Sequence, residues 1–183
     1  IDNVIADQSA GIDGIMQQFF ASVNDVADDP TSIEARSMML NRAEQLSDRF
    51  NSLDRWFSDI RNRLNQDFER QVNEINSLAQ SLVEVNSRIG SLNGLQDGIP
   101  PDVLDERDKL VSELSQYTNV NTVTQADGMM SVFVGTGQSL VVGITRNTLA
   151  VTRDDYAADW VELSLAQPGG SVVNVTNQMT GGS

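Results

Sequence analysis

Apolar residues near the start of the chain recur at the spacing of a helix. Steps of three and four residues place them on one stripe, which predicts an amphipathic helix; the stripe comprises Ile12, Ile15, Met16, Phe19, Phe20, Val23, Val26 and Ala27. Asp28, Asp29 and Pro30 end this pattern. Thr31 and Glu34 follow at the spacing of a capping box, in which a hydroxyl and a carboxylate bind the free amides of a helix start. We therefore expect a second helix to begin at about Thr31.

The second helix is expected to be long. Neither Gly nor Pro occurs between Thr31 and Ile89, so the pattern predicts one helix over about 31–92, on the order of 90 Å long at about 1.5 Å per residue. Its first half has the heptad alternation of a coiled-coil seam, formed by Phe50, Leu53, Phe57, Ile60 and Leu64. We expect these residues to be buried against the helices around 15–26 and 103–114. Replacing Phe57 by Ala in such a core should cost roughly 3–5 kcal/mol.

The apolar stripe of this helix changes register after Leu64. It continues on a rotated face through Phe68, Val72, Ile75, Leu78, Leu82, Val85, Ile89 and Leu92. A single partner helix could not easily follow both stripes. Amide side chains interleave with the stripes and are able to bind neighbouring elements; they are Asn62, Asn65, Gln66, Asn73, Asn76 and Asn86. An ordinary helical bundle with a solvated face is the alternative interpretation of this helix.

A loop and a short helix are expected next. The loop contains Gly90, Gly94, Gly98, Pro100 and Pro101 and would let the chain turn back. An apolar stripe then predicts a helix over about 102–117, with Val103, Leu104, Leu110, Val111 and Leu114 among its members. We expect Asp102 to cap this helix and Asp105 and Glu106 to lie in its first turn, where carboxylates offset the helix dipole. Asp105 and Lys109 are spaced for a favourable ion pair.

The charged residues of this short helix raise the question of a metal site or a catalytic site. A metal site would need Asp105 and Asp108 to converge with ligands from elsewhere, and a carboxylate-type hydrolase would need two acids at a set separation. Lys109 and Ser112 are three residues apart, but a lysine on a charged helix face is usually solvated. We therefore predict no catalytic residue, no cofactor-binding residue, no cofactor and no metal site.

Composition excludes several classes of function. The chain has neither Cys nor His, which excludes thiol nucleophiles, disulfides, Ser-His-Asp triads and the commonest zinc ligands. Its net charge of -14 argues against nucleic acid and against an anionic membrane surface as partners. No apolar run approaches the roughly 20 residues of a membrane-spanning helix. With 183 residues, of which 39% are hydrophobic, the chain can bury one modest core or two small ones.

The period of the pattern changes to two after Tyr117. Short β-branched runs predict antiparallel strands in meander order: "VNTVT", "MMSVFVG", "SLVVG", "TLAVT", "WVELSLA" and "SVVNVTN". The turns between them are "ADG", "GTGQ", "DDYAAD" and "QPGG", and "GTGQS" is expected to be a hairpin turn because no helix pattern follows it. The fold class is therefore α+β, a long-helix rod over 1–117 followed by a small antiparallel β region over 118–183. The abrupt "TGGS" end suggests a truncated region.

Four segments occur in a distinctive order and spacing: "DDPTSIEARSMMLNRAEQLSDRFNSLDRWF", "QVNEINSLAQSLVEVNSRI", "PPDVLDERDKLVSELSQYTNV" and "GQSLVVG". Together they resemble the flagellar hook-associated protein 1 family, the first hook–filament junction protein. The resemblance implies a structural, non-enzymatic protein that is secreted and located in the extracellular flagellum. The implied partners are the hook protein, the second junction protein and further copies of itself. An export chaperone would bind a C-terminal region that is absent from this sequence.

Other classes stay open as alternatives. Another flagellin-like axial protein, such as the second junction protein or flagellin, would share the long helix and strands, although the "LDERD" helix after the Gly-Pro loop favours the first-junction family. A carboxylate-type hydrolase is the weaker alternative. Because the terminal helices of the family are missing, we expect this piece to be an elongated monomer in dilute solution.

Overall fold

The described part of the protein consists of three helices followed by seven short strands. The computed structural model describes residues 2–92, 98–153 and 161–179, with side chains from Ile12 onward. The helices are α1 (Asp2–Asp28), α2 (Ile33–Leu92) and α3 (Pro101–Ser115). A short 3-10 helix follows the last strand, at Thr176–Gln178. The predicted α+β class, a long helix followed by a small antiparallel β region, is confirmed.

The strands form two antiparallel sheets. Sheet A has the order β1-β2-β3-β4 and sheet B the order β5-β6-β7. The predicted meander order holds within each sheet, but β4 and β5, which follow each other in sequence, belong to different sheets. The bounds are β1 (Val120–Thr124), β2 (Met130–Val134), β3 (Gln138–Val142), β4 (Thr145–Arg146), β5 (Thr148–Arg153), β6 (Val161–Ala166) and β7 (Val172–Asn174). The "GTGQ" turn does join β2 to β3 as a hairpin. The "DDYAAD" turn and the final "TGGS" lie outside the described residues.

The chain divides into two compact units, residues Ile1–Asn62 and Arg63–Ser183. Helix α2 contributes to both. The change of register in its apolar stripe, between Leu64 and Phe68, falls within a few residues of this division. The expected division of the chain into a helical part over 1–117 and a β part over 118–183 stays a prediction.

Helix α2 begins one residue later than the capping box predicts. Its N-cap is Ser32, whose Oγ accepts a hydrogen bond from the Ala35 amide at 3.1 Å. The Thr31 amide and hydroxyl instead bind Asp29 Oδ1, at 3.1 and 2.9 Å. These hydrogen bonds, with the hydroxyl contributing most, hold the pKa of Asp29 below its usual range. Two adjacent hydroxyl residues were available as caps, and Asp29 engages the first of them.

Helix α3, by contrast, begins earlier than expected. Its N-cap is Pro100, which offers no side-chain cap, and Pro101 occupies the first turn. The Val103 amide donates to the Pro100 carbonyl at 3.2 Å. Asp102 therefore lies in the first turn and is not the cap, and Asp105 and Glu106 lie beyond it. The reason is that proline is well suited to the first helical position, where its missing N–H has no partner to lose.

The core of the second unit is formed by the rotated stripe of α2 together with the two sheets. One cluster of buried side chains joins this stripe to α3 and to both sheets. Its members include Val72, Ile75, Leu82, Leu114, Val132, Val134, Leu140, Leu149 and Leu165. A smaller cluster holds Val85, Ile89 and Val103, with Ile99 and Met129 packed against it. The partner of the rotated stripe is thus mainly a β surface.

The first unit buries far less. Among its described side chains, Ser22 and Leu53 are buried. The expectation that the whole heptad seam is buried is wrong, because Phe50, Phe57 and Leu64 are 52%, 54% and 63% exposed and Ile60 is only partly buried. The alternation shows which face of a helix is apolar, but burial also requires a partner surface wide enough to cover that face.

Two truncations in α2 test this contrast. Leu82 is 1% exposed and Phe57 is 54% exposed. We expect Leu82→Ala to lower the free energy of unfolding by about 2–5 kcal/mol, because it leaves a cavity in the core. Phe57→Ala should change it by about 0.5 kcal/mol or less, as is usual for surface positions. Chemical denaturation followed by circular dichroism measures both, and similar losses for the two variants would contradict this assignment of the core.

Candidate functional site

Two asparagine side chains of α2 bind the backbone of the sheets. Asn86 is fully buried. Its Nδ2 donates to the carbonyl oxygens of Met130 and Gly143 at 2.8 and 2.7 Å. Its Oδ1 accepts from the Met130 amide at 2.9 Å. The side chain thus reproduces backbone pairing at the start of β2 and just beyond the end of β3.

Asn76 makes the same kind of contact with sheet B. Its Nδ2 donates to the Leu149 carbonyl at 2.7 Å, and its Oδ1 accepts from the Leu149 amide at 2.9 Å. Strand β5 is an edge strand, so Asn76 satisfies backbone groups that no neighbouring strand binds. Gln80 of the same helix contacts β4 of sheet A, because its Oε1 accepts a hydrogen bond from Arg146 Nε at 2.8 Å.

From the sequence, these asparagines are recognisable only as polar residues that are able to bind neighbouring elements. A more specific signal was present, since Asn86 lies between Val85 and Ile89 on the buried stripe. A polar residue on such a stripe must have hydrogen-bond partners, because an unpaired amide in a core is costly. The sequence did not show that the partners are strand backbones.

Replacement of Asn86 tests the contribution of this pairing. Asn86→Ala leaves the Met130 amide and the carbonyls of Met130 and Gly143 without their partner. We expect the free energy of unfolding to fall by about 1–3 kcal/mol, the cost of leaving buried polar groups unsatisfied. Asn73→Ala is the matched control, because Asn73 is an exposed residue of the same helix. Faster hydrogen exchange at the Met130 amide should accompany the loss, and unchanged exchange there would contradict the assignment.

The acidic cluster of α3 forms ion pairs with its neighbours. Glu106 Oε2 lies 2.7 Å from Arg88 of α2, and Asp108 Oδ1 lies 2.7 Å from Arg107. Lys109 pairs with Glu113 at 3.8 Å, so the expected Asp105–Lys109 pair is not the one formed. Among the described residues, no group of three or more acidic side chains is arranged to hold a metal ion. Both Glu106 and Arg88 are about half exposed, so their ion pair contributes little stability.

The absence of a metal site at residues 102–108 stays a prediction with a direct test. Because the carboxylates of Glu106 and Asp108 already bind arginines, calorimetric titration with calcium, magnesium and manganese should show no site-specific heat. A stoichiometric site of micromolar affinity would refute this prediction. The double variant Asp102→Asn with Asp105→Asn would then show whether the carboxylates of Asp102 and Asp105 supply the metal ligands.

The first unit presents an apolar surface that is suited to binding another helix. Phe50 and Phe57 are seven residues apart on α2, and each is about half exposed. The Phe57 ring packs edge-on against Trp56, with 4.9 Å between ring centroids. We call Phe50 and Phe57 the heptad face. Residues at this spacing form the seam of coiled coils, so the heptad face is the candidate functional site.

Within the described part of the chain, no helix is both long enough and apolar enough to cross a bilayer.

Comparison with known proteins identifies the family. A model of the flagellar hook-associated protein FlgK helical domain matches residues 1–183. The chain belongs to this family. Flagellar hook-associated protein 1 of Salmonella typhimurium is 32% identical over 151 residues, which are 82% of this chain and 27% of that protein. Its counterpart from Escherichia coli is 30% identical over 176 residues, covering 96% of this chain and 32% of that protein.

A solved structure of a FlgK protein has the same fold. The flagellar hook junction protein FlgK from Burkholderia pseudomallei superposes with a TM-score of 0.83 at 28% identity, over 96% of this chain and 32% of that chain. The chain spans about a third or less of the length of the FlgK relatives it matches. The resemblance noted in the sequence to the hook-associated protein 1 family is thereby confirmed.

Proposed function

We propose that the chain is part of a structural component of the bacterial flagellum that joins the hook to the filament. Its membership of the FlgK family supports this role, since one relative of the same fold is described as a hook junction protein. The observation on this chain that carries the proposal is the heptad face, where Phe50 and Phe57 keep coiled-coil spacing without being buried. This spacing is that of a coiled-coil seam, which supports a role in assembly.

The proposed location and partners follow from that role. The full-length protein acts outside the cell, at the junction, in contact with the hook protein, the second junction protein and further copies of itself. An export chaperone binds a C-terminal region outside this sequence. We propose no catalytic activity, no cofactor and no nucleic-acid or membrane partner, in keeping with the net charge of -14 and with the absence of Cys and His.

The heptad face gives a specific test of this role. In cells that lack their own junction protein, a full-length protein containing this chain should restore motility. The double variant Phe50→Ser with Phe57→Ser should be exported but should fail to hold filaments on hooks, because it removes the apolar contact that a partner helix needs. Soft-agar motility, electron microscopy of filaments and the amount of protein released into the medium are the measurements.

A matched variant separates loss of the heptad face from loss of apolar surface in general. Val142→Ser with Ile144→Ser removes two exposed apolar side chains from the sheet region, where they are 47% and 61% exposed. This control should assemble normally. If the unaltered protein fails to restore motility, the proposed role is wrong. If it succeeds and the double phenylalanine variant succeeds equally, the role stands but the heptad face does not serve it.

A further inference from the structure

Among the described residues, no strand pairs with the outer edge of β1. Strand β1 is the terminal strand of sheet A and pairs with β2 on one side only. Its register with β2 is unbroken from Val120 to Thr124. Although α3 contacts β1, residues 121–124 are all exposed.

The hydrogen bonds flanking β1 show which backbone groups face outward. The Gln125 amide donates to the Met129 carbonyl at 2.7 Å, and the Gly135 amide donates to the Asn119 carbonyl at 2.9 Å. In an antiparallel pair, alternate residues exchange both backbone bonds with the neighbouring strand. Residues 119, 121, 123 and 125 therefore face β2. The amides and carbonyls of Val120, Thr122 and Thr124 point to the open edge.

This edge lacks the usual protection against pairing. Natural edge strands are commonly protected by a charged side chain, a proline or a bulge. Strand β1 contains none of these, and no charged residue occurs from Leu114 to Ala126. In a chain of net charge -14, this neutral segment is a place where two copies approach with little repulsion.

The other free edges are poorer candidates. Strand β4 has two residues and β7 has three. On β5, Asn76 occupies the backbone groups of Leu149. The edge of β1 is therefore the longest uncovered edge among the described strands.

We propose that β1 pairs with β1 of a second copy of this chain, antiparallel and about a two-fold axis at Thr122. This register places Thr122 opposite Thr122 of the second copy, and Val120 opposite Thr124. All of these residues have outward backbone groups, so each pair exchanges both N–H···O bonds. The side chains form Thr–Thr and Val–Thr pairs, which are favourable across strands, and no like charges meet. The result is one continuous sheet through both copies.

The dimer is weak, because a single pair of short strands buries less surface than a stable interface needs. It is compatible with a monomer at micromolar concentration and forms as the concentration approaches millimolar. This pairing is independent of the proposed role in the flagellum, since it uses neither the heptad face nor any other flagellar protein.

Two proline variants test the proposal by sedimentation equilibrium over a concentration series. Thr122→Pro removes the central outward amide and keeps the bonds to β2, because proline is tolerated where an edge-strand N–H faces solvent. The dimer should be lost. Val172→Pro at the edge of β7 is the control and should dimerise like the unaltered chain. Thr122→Lys keeps the backbone intact and places like charges opposite each other, so it should weaken the dimer more at low than at high salt.

A disulfide gives an independent readout, because the chain has no cysteine of its own. Residues that form a hydrogen-bonded antiparallel pair have Cα atoms about 5.5 Å apart, within the range that a disulfide spans. Thr122→Cys should therefore cross-link to dimers under mild oxidation much faster than Val172→Cys. The proposal is overturned if no association occurs up to millimolar concentration. It is equally overturned if Val172→Pro abolishes association, if folded Thr122→Lys still dimerises normally, or if the two cysteine variants cross-link at equal rates.

Discussion

The hydrogen bonds from two asparagine side chains of α2 to strand backbones fix the arrangement of the second unit. A helix packed on a sheet covers strand ends whose amides and carbonyls would otherwise be buried without partners, at a considerable cost. An asparagine side chain carries both a donor and an acceptor in the geometry of a peptide group. Asn86 uses this at Met130, and Asn76 uses it at Leu149. The two asparagines are ten positions apart, about 15 Å along the helix, and this separation sets the spacing at which the two sheets attach. An apolar residue at either position would leave these backbone groups without a partner and would not specify this register.

Charged residues are distributed unevenly along the chain, and this affects where copies of the chain can approach one another. The helices carry ion pairs within and between them, such as Arg88–Glu106 and Arg70–Asp67. By contrast, no charged residue occurs from Leu114 to Ala126 or from Gln167 to the end of the sequence. Exposed charges repel like charges on other copies over about a Debye length, roughly 8 Å at physiological salt. Contacts between copies of an acidic chain are therefore easiest where the surface is neutral, and the uncharged segments of this chain include β1 and β7.

The periodicity of the sequence predicted the elements well and their partners poorly. The absence of Gly and Pro between Thr31 and Ile89 was enough to predict α2, and the alternating runs after Tyr117 predicted the strands. The heptad alternation around Phe57 was wrongly taken as evidence of burial, because periodicity reports which face is apolar and not what covers it. The cap of α2 was misplaced by one residue for a local reason, since Asp29 binds Thr31 and leaves Ser32 to cap the helix.

The candidate site was less predictable than the fold, and the reason is physical. The change of register after Leu64 did signal that α2 has different surroundings along its length, and the rotated stripe proved to pack on sheets. Nothing in the sequence distinguished the covered stripe from the uncovered one, since both are equally apolar. The two units differ in how much partner surface they offer to α2: one contains two sheets and α3, whereas α1 is the one other described helix of the other unit.

Burying the exposed phenylalanines of the heptad face against a partner would be favourable, because the folded chain leaves about half of each side chain in contact with water. Burying a phenylalanine side chain completely is worth roughly 1.5–3 kcal/mol, and Phe50 and Phe57 are each about half exposed, so a covering helix would recover a substantial part of that for each. The charged residues beside them, including Asp54, Arg55, Asp59 and Arg61, restrict which surfaces fit. A purely apolar partner would bury those charges unpaired at high cost. A partner helix therefore needs an apolar seam flanked by complementary charges, the pattern by which coiled coils select partner and orientation. The heptad face thus favours a helix of its own amphipathic kind over a lipid surface or an irregular loop.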